Sequence, residues 1–203
     1  MVMSIPYEST GRTRQKARTR ADLIDAARAL LREGVTPTVE QAADRASISR
    51  TTAYRYFTNQ RTLLVATYPE LDMASLLEPD ASADPAARLE IVLEHFTENI
   101  LEYEQELRAM LRLSLESPPP PPEALPLRQG RGIGWIEEAL SPLRDRLGRR
   151  EVHRLTLAIR ATVGIEAFVW LTDVAGLSPR EAVGVMRSSA RALLRCALED
   201  AGR

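Results

Sequence analysis

The sequence of 203 residues holds a single cysteine, Cys196, which excludes an intramolecular disulfide framework and suits a reducing, cytoplasmic setting. Only one of its 27 basic residues, Lys16, is a lysine, a bias that reflects a GC-rich coding sequence rather than any chemistry. Histidine is nearly missing as well. His95 and His153 stand isolated, and no Cys/His/carboxylate spacing points to a metal site. No Ser/His/Asp set, Gly-rich phosphate loop or zinc signature appears, so neither an enzyme nor a cofactor is expected. The opening MVMSIPYESTGRTRQKARTR has no apolar core of the kind a signal peptide carries. The longest apolar stretch, LTLAIRATVGIEAFVWL at 155–171, is interrupted by Arg160 and Glu166; it reads as a buried helix, not a membrane span. Strand signals are almost absent too: no alternating β-branched run is bounded by turn dipeptides.

What is present is helix. A hydrophobic content of 44% with 27% charged residues fits a soluble globular chain. Helical periodicity recurs along most of it. A first helix is expected from about Thr19 to Glu33, with Leu23, Ala26, Ala27, Leu30 and Leu31 on one stripe and Gly34 just past its end. Thr38-Val39-Glu40-Gln41 matches a capping box that opens a short second helix. Ser47 and Ile48 turn the chain, and Ser49 is a natural N-cap for a third. Thr58-Asn59 caps a fourth, which runs towards Leu77 unless Pro69 ends it. After a linker at 78–85, one long or two shorter helices span 86–117, stopped by five prolines at 118–122. Further helices are expected at about 126–147, 150–175 and 179–200, the last starting at Ser178-Pro179. The expectation is an all-α protein of about nine helices.

Charge divides the chain. Residues 1–65 carry eleven Lys+Arg against six Asp+Glu, and the remainder sixteen against twenty-two. A basic front with an acidic rear marks the front as the candidate for a polyanionic partner. Within it, residues 49–57 read SRTTAYRYF. On a wheel of roughly 100° per residue, Ala53 and Phe57 define a core side. Thr51, Thr52 and Arg55 fall opposite, Tyr54 and Tyr56 take the two edges, and Arg50 sits in the first turn. No acid occurs from 49 to 60, where an ordinary solvated face mixes both signs. Arginine pairs with guanine edges or phosphates, threonine offers a methyl to thymine, and tyrosine hydroxyls reach phosphate oxygens. Three helices within some forty residues, the second and third joined tightly, describe a helix-turn-helix unit.

The segment TVEQAADRASISRTTAYRYFTNQRTLL, residues 38–64, resembles the DNA-binding signature of TetR-family transcriptional regulators. The likeness rests on the Thr-Val opening, Ala43, Ala46, the small–aliphatic–Ser turn, Thr52, Tyr54-x-Tyr56-Phe57 and Leu63-Leu64. It covers residues 19–66. The resemblance implies a third helix in the major groove, with Arg50, Thr51, Thr52, Tyr54, Arg55 and Tyr56 as DNA contacts and Thr38 at a phosphate. It also implies a flexible basic arm at 1–18, a DNA-binding domain at 19–66 and an effector-binding, dimerising domain at 67–203. Two positions depart from the pattern: Ser47 stands where the turn usually has glycine, and Gln60 where the fourth helix usually starts with lysine. In the arm, Arg12, Arg14, Lys16, Arg18 and Arg20 alternate, which favours general attraction to phosphates over base reading.

Towards the C-terminus the residues point to partners rather than to chemistry. Leu155–Val174 is apolar on nearly all sides, so one face meets another chain or both faces are core. With the last helix, striped by Val183, Met186, Ala190, Leu193, Leu194 and Ala197, it would form a homodimer surface from about 150–175 and 179–200. The resemblance implies the same four-helix arrangement. It also implies a cavity for a small-molecule effector, for which Phe96, Met110, Trp135, Phe168 and Trp170 are large enough, although each also serves as plain core. Glu166, an acid in an apolar helix, needs a partner: Arg160 of a dimer mate, an internal arginine such as Arg112, or a cationic ligand. The expectation is a regulator on a palindromic double-stranded operator, a repressor released by its ligand; the alternative is a constitutive DNA-binding protein or an activator without an effector.

Overall fold

The computed structural model describes residues 7–68, 74–116 and 131–200, with side chains from Thr13 and from Gly132 onward in the first and last stretches. Pro69, the five prolines at 118–122 and the expected helix start at 126 lie outside the described residues. All regular structure among the described residues is helical, without a strand, so the chain is all-α. It separates into two compact units.

The first unit contains α1 (Tyr7–Arg32), α2 (Val39–Arg45), α3 (Arg50–Tyr56) and α4 (Gln60–Thr67). Leu23, Ile24 and Ala27 of α1 pack with Val39, Ala42, Ala43, Ala53, Phe57 and Leu63 in one apolar cluster. Helix α1 stops at Gly34, whose φ of +78° allows Val35 N–H to reach the Leu30 carbonyl at 2.9 Å. The expected arm at 1–18 is not loose over its described part, because α1 already begins at Tyr7. Once the packed half of a helix is nucleated, each further residue adds a hydrogen bond at little cost. From Arg12 to Arg18 six of seven residues are Arg, Gln, Lys or Ala, all strong helix formers, and no proline follows Pro6 in the arm.

The α2 capping box is present in both directions: Gln41 N–H donates to Thr38 Oγ1 at 3.2 Å, and Thr38 N–H to Gln41 Oε1 at 2.8 Å. The helix leaves through a left-handed residue, Ser47, with φ 55°. Its neighbour Ile48 donates to the Ala43 carbonyl at 2.9 Å and Ser47 to Asp44 at 3.2 Å, which is the Schellman pattern. Ser49 then caps α3, its Oγ accepting from Thr52 N–H at 3.2 Å. Helix α4 ends at Thr67 rather than near Leu77, since Tyr68 is extended (φ −90°, ψ 117°). Tyr68 precedes a proline, which disfavours helical backbone there. Arg28 of α1 holds this end, its Nε donating to the Thr67 carbonyl at 2.9 Å.

The second unit contains α5 (Pro85–Glu102), α6 (Glu104–Glu116), α7 (Arg131–Ala139), a 3-10 turn (Ser141–Leu143), α8 (Arg144–Leu147), α9 (Arg149–Thr162), α10 (Ile165–Val169) with a π turn (Trp170–Val174), and α11 (Pro179–Asp200). Leu93, Ile136, Val152, Ile159, Phe168 and Met186 form the middle of its core. The expected continuous helix at 150–175 is broken: Val163 is extended and Gly164 caps the next segment. A Cβ on Gly164 would meet the side-chain ends of Arg160 and Glu166, so a larger residue there would have to push that pair aside. Residues 149–174 are long and apolar enough to cross a membrane by length and composition, but their inner side chains belong to this core.

Two arginine–carboxylate clamps tie the unit. Arg108 of α6 forks onto Asp173 of the π turn at 2.6 and 2.7 Å and reaches Glu104 at 2.7 Å. Glu90 of α5 accepts from Arg191 of α11 at 2.8 and 2.6 Å and also from Arg187. The Arg191 hydrogen bonds, helped by Arg187, hold the Glu90 carboxyl well below its usual value of 4.5, at about 2.

Replacing Ser47 by glycine removes the left-handed penalty of about 1 kcal/mol, offset in part by glycine's freer unfolded chain. Ser47→Gly is therefore expected to raise the urea midpoint slightly without changing the slope. Because the folded pKa of Glu90 is depressed, its contribution is complete above the unfolded value and is lost as pH falls from 4.5 through about 2. In Glu90→Gln, stability followed by circular dichroism should therefore fall less steeply over that window than in the wild type.

Candidate nucleic-acid interface

The side chains singled out on α3 divide as the wheel requires except at Thr52, which was expected on the far side and lies at an edge. Ala53 and Phe57 are buried, Thr51 and Arg55 are exposed, and Thr52 and Tyr56 are half-buried. Two turns of helix are too short to stand alone, so the face depends on its cap and on these two anchors. Arg20 of α1 lies over the Phe57 ring, 5.5 Å from its centre, and ties the anchor to the first helix. Thr38 is exposed at the α2 start, its hydroxyl oxygen engaged by the capping box. Gln60 does not stand free at the start of α4: its Nε2 donates to the Pro37 carbonyl at 3.0 Å.

The two edges of α3 differ in charge, and no reading of the segment alone would find this. On one edge stands α2. The Tyr54 hydroxyl donates to Glu40 Oε1, and Arg50 Nη2 lies 3.4 Å from Asp44 Oδ2. The bond to Glu40 raises the pKa of Tyr54, and the same bond lowers that of Glu40. Glu40 and Asp44 are four residues apart, one face of α2, so their spacing was a usable signal once α2 and α3 were taken as neighbours. The acid-free stretch 49–60 thus has two carboxylates beside it.

On the other edge stands the N-terminal half of α1. Gln15, Lys16 and Thr19 line a groove of about 230 Å³ with Thr52, Arg55 and Tyr56. From Arg12 to Arg20 every second position is basic, but on a helix that alternation splits: Lys16 shares a stripe with Arg20, Leu23 and Ala27, while Arg14 and Arg18 lie about 160° away. Chemically, the surface offers guanidinium, ammonium, amide and hydroxyl donors in a row from α1 across α3. No family model matches the chain, and no curated protein matches it.

The residues expected around an effector lie in the second unit and come together only in part. Phe96 meets Trp135 edge-on at 5.7 Å, and His95 meets Trp135 likewise at 6.1 Å. Arg160 lies over Phe96 at 5.9 Å, and its Nη1 is 3.6 Å from Glu166 Oε2. Arg160 of the same chain is thus one ion-pair partner of Glu166, across the break at Gly164. Met110 is buried on α6, apart from the main core, and Phe168 is core. Trp170 is 58% exposed and lines nothing in this cluster, because it opens the π turn on the outer side.

Glu40→Gln removes the charged acceptor of Tyr54. Alkaline absorbance titration should then show one tyrosine ionising earlier than in the wild type, shifted back towards the ordinary value near 10.

Proposed function

We propose that this chain is a TetR-like, DNA-binding transcriptional regulator that acts as a homodimer. The observation that carries the reading is α3: a capped two-turn helix behind a left-handed turn, with Ala53 and Phe57 inward, Thr51, Tyr54 and Arg55 outward and Thr52 half-buried at the edge. That is a helix-turn-helix in geometry, with a presented face able to hydrogen-bond base edges and phosphates. A dimer sets two such helices on half-sites of a palindrome, spaced about one helical turn or a little more.

The dimer is assigned to α9 and α11. These helices pack together in the core, yet Leu157 of α9 and Val185 of α11 remain 44% and 41% exposed. A groove of about 520 Å³ runs along the pair, lined by Leu147, Leu155, Ala158 and Ala197 with Glu151, Arg154 and Asp200. Apolar side chains left outward on the last long helices support a second copy as the occupant.

The effector is a small lipophilic molecule, and the region around Phe96, Trp135, Arg160 and Glu166 is its proposed place. A ligand that prefers one of two conformations lowers DNA affinity by its differential preference. Repression relieved by ligand follows from that coupling.

The test is a duplex selected by the wild-type protein from a randomised pool, followed by titration of variants. Arg55→Ala and Tyr54→Ala should each weaken binding by about 1–3 kcal/mol, while light scattering shows an unchanged dimer. Wild-type affinity in both variants would remove α3 from the interface.

A further inference from the structure

The groove between α1 and α3 has a wall composition that the helix-turn-helix reading does not require. Its lining is Gln15, Lys16 and Thr19 on α1 with Thr52, Arg55 and Tyr56 on α3. Two are cations, four are neutral hydrogen-bonding groups, and none is an acid. At about 230 Å³ it has room for a sugar–phosphate unit and not for a base pair. It opens beside the outward face of α3, on the edge away from Glu40 and Asp44. Its α1 wall is in register with its α3 wall, because Arg20, one turn beyond Lys16, is held over the Phe57 ring at 5.5 Å.

We propose that this groove seats one backbone phosphodiester of duplex DNA, between the Lys16 ammonium and the Arg55 guanidinium. The proposal rests on the DNA-binding reading and deepens it. The N-terminal half of α1 is then a rigid wall that fixes one strand at a set distance from α3. It is not a tether whose charges act wherever they fall. A charged donor on a phosphate is shorter and stronger than a neutral one, and a seat with two of them fixes register as well as affinity. Arg14 and Arg18, about 160° round the helix from Lys16, take no part in it.

The experiment compares three full-length variants on a duplex selected by the wild-type protein, titrated by fluorescence anisotropy over a range of salt. Lys16→Gln should weaken binding about tenfold and reduce the slope of log affinity against log salt by about one. Arg14→Gln/Arg18→Gln removes twice the charge from the same helix and should change the slope less than Lys16→Gln does. Ala17→Pro keeps every charge but ends the helix at residue 17, where proline suits a first turn and leaves the core stripe from Leu23 onward intact. It should match Lys16→Gln.

A slope change in the double variant about twice that of Lys16→Gln, with Ala17→Pro at wild-type affinity, would show charge acting without a seat. That result overturns the groove and leaves the DNA-binding reading standing. Failure of the wild-type protein to select any duplex overturns both.

Discussion

Four alanines without exposed surface set the geometry of the first unit: Ala27 on α1, Ala42 and Ala43 on α2, and Ala53 on α3. The distance between packed helices depends on the side chains at the contact, and methyl groups permit the closest approach. Helices α2 and α3, seven residues each, have too few turns to persist alone. They exist because their backbones come close enough for Val39, Phe57 and Leu63 to close one cluster around those methyls. The left-handed Ser47 is part of the same constraint, since it turns the chain sharply between α2 and α3 and lets both contribute to one cluster. Everything that α3 presents outward follows from how tightly it is held inward.

That outward face is asymmetric in a way that matters for a polyanion. Carboxylates at Glu40 and Asp44 occupy Tyr54 and Arg50 on one side, and Lys16 with Arg55 opens the other. A phosphate approaching the first edge must displace an internal partner, whereas the second offers cations that have no ion pair to break among the described residues. Exposed pairs such as Arg50–Asp44 are worth little, so this edge acts as a filter on approach rather than a lock.

Much of this was legible in order along the chain. Caps are local, so Thr38 with Gln41, Ser49 with Thr52 and Asn59 with Thr62 could be read from adjacent letters. The inward pair Ala53 and Phe57 followed from periodicity alone. The start of α1 was not legible, because charged helix formers carry no start signal and the packed half extends itself into them. Nor was the break at Gly164 visible: the extended Val163 before it and the Arg160–Glu166 pairing across it are facts of space rather than of spacing. The Glu40–Tyr54 contact escaped for the same reason, joining segments fourteen residues apart.

Lys16 is the only lysine in the sequence, and it lies in the groove beside α3. The chain therefore carries a single side-chain primary amine, placed by the fold at one defined spot. Arginine takes its place everywhere else and does not react as an amine nucleophile. Amine-directed reagents consequently meet one side chain besides the terminal α-amino group, whose lower pKa lets pH separate the two. A dye or cross-linker attached to Lys16 reports on one wall of one groove, with no background from the other 26 cationic side chains.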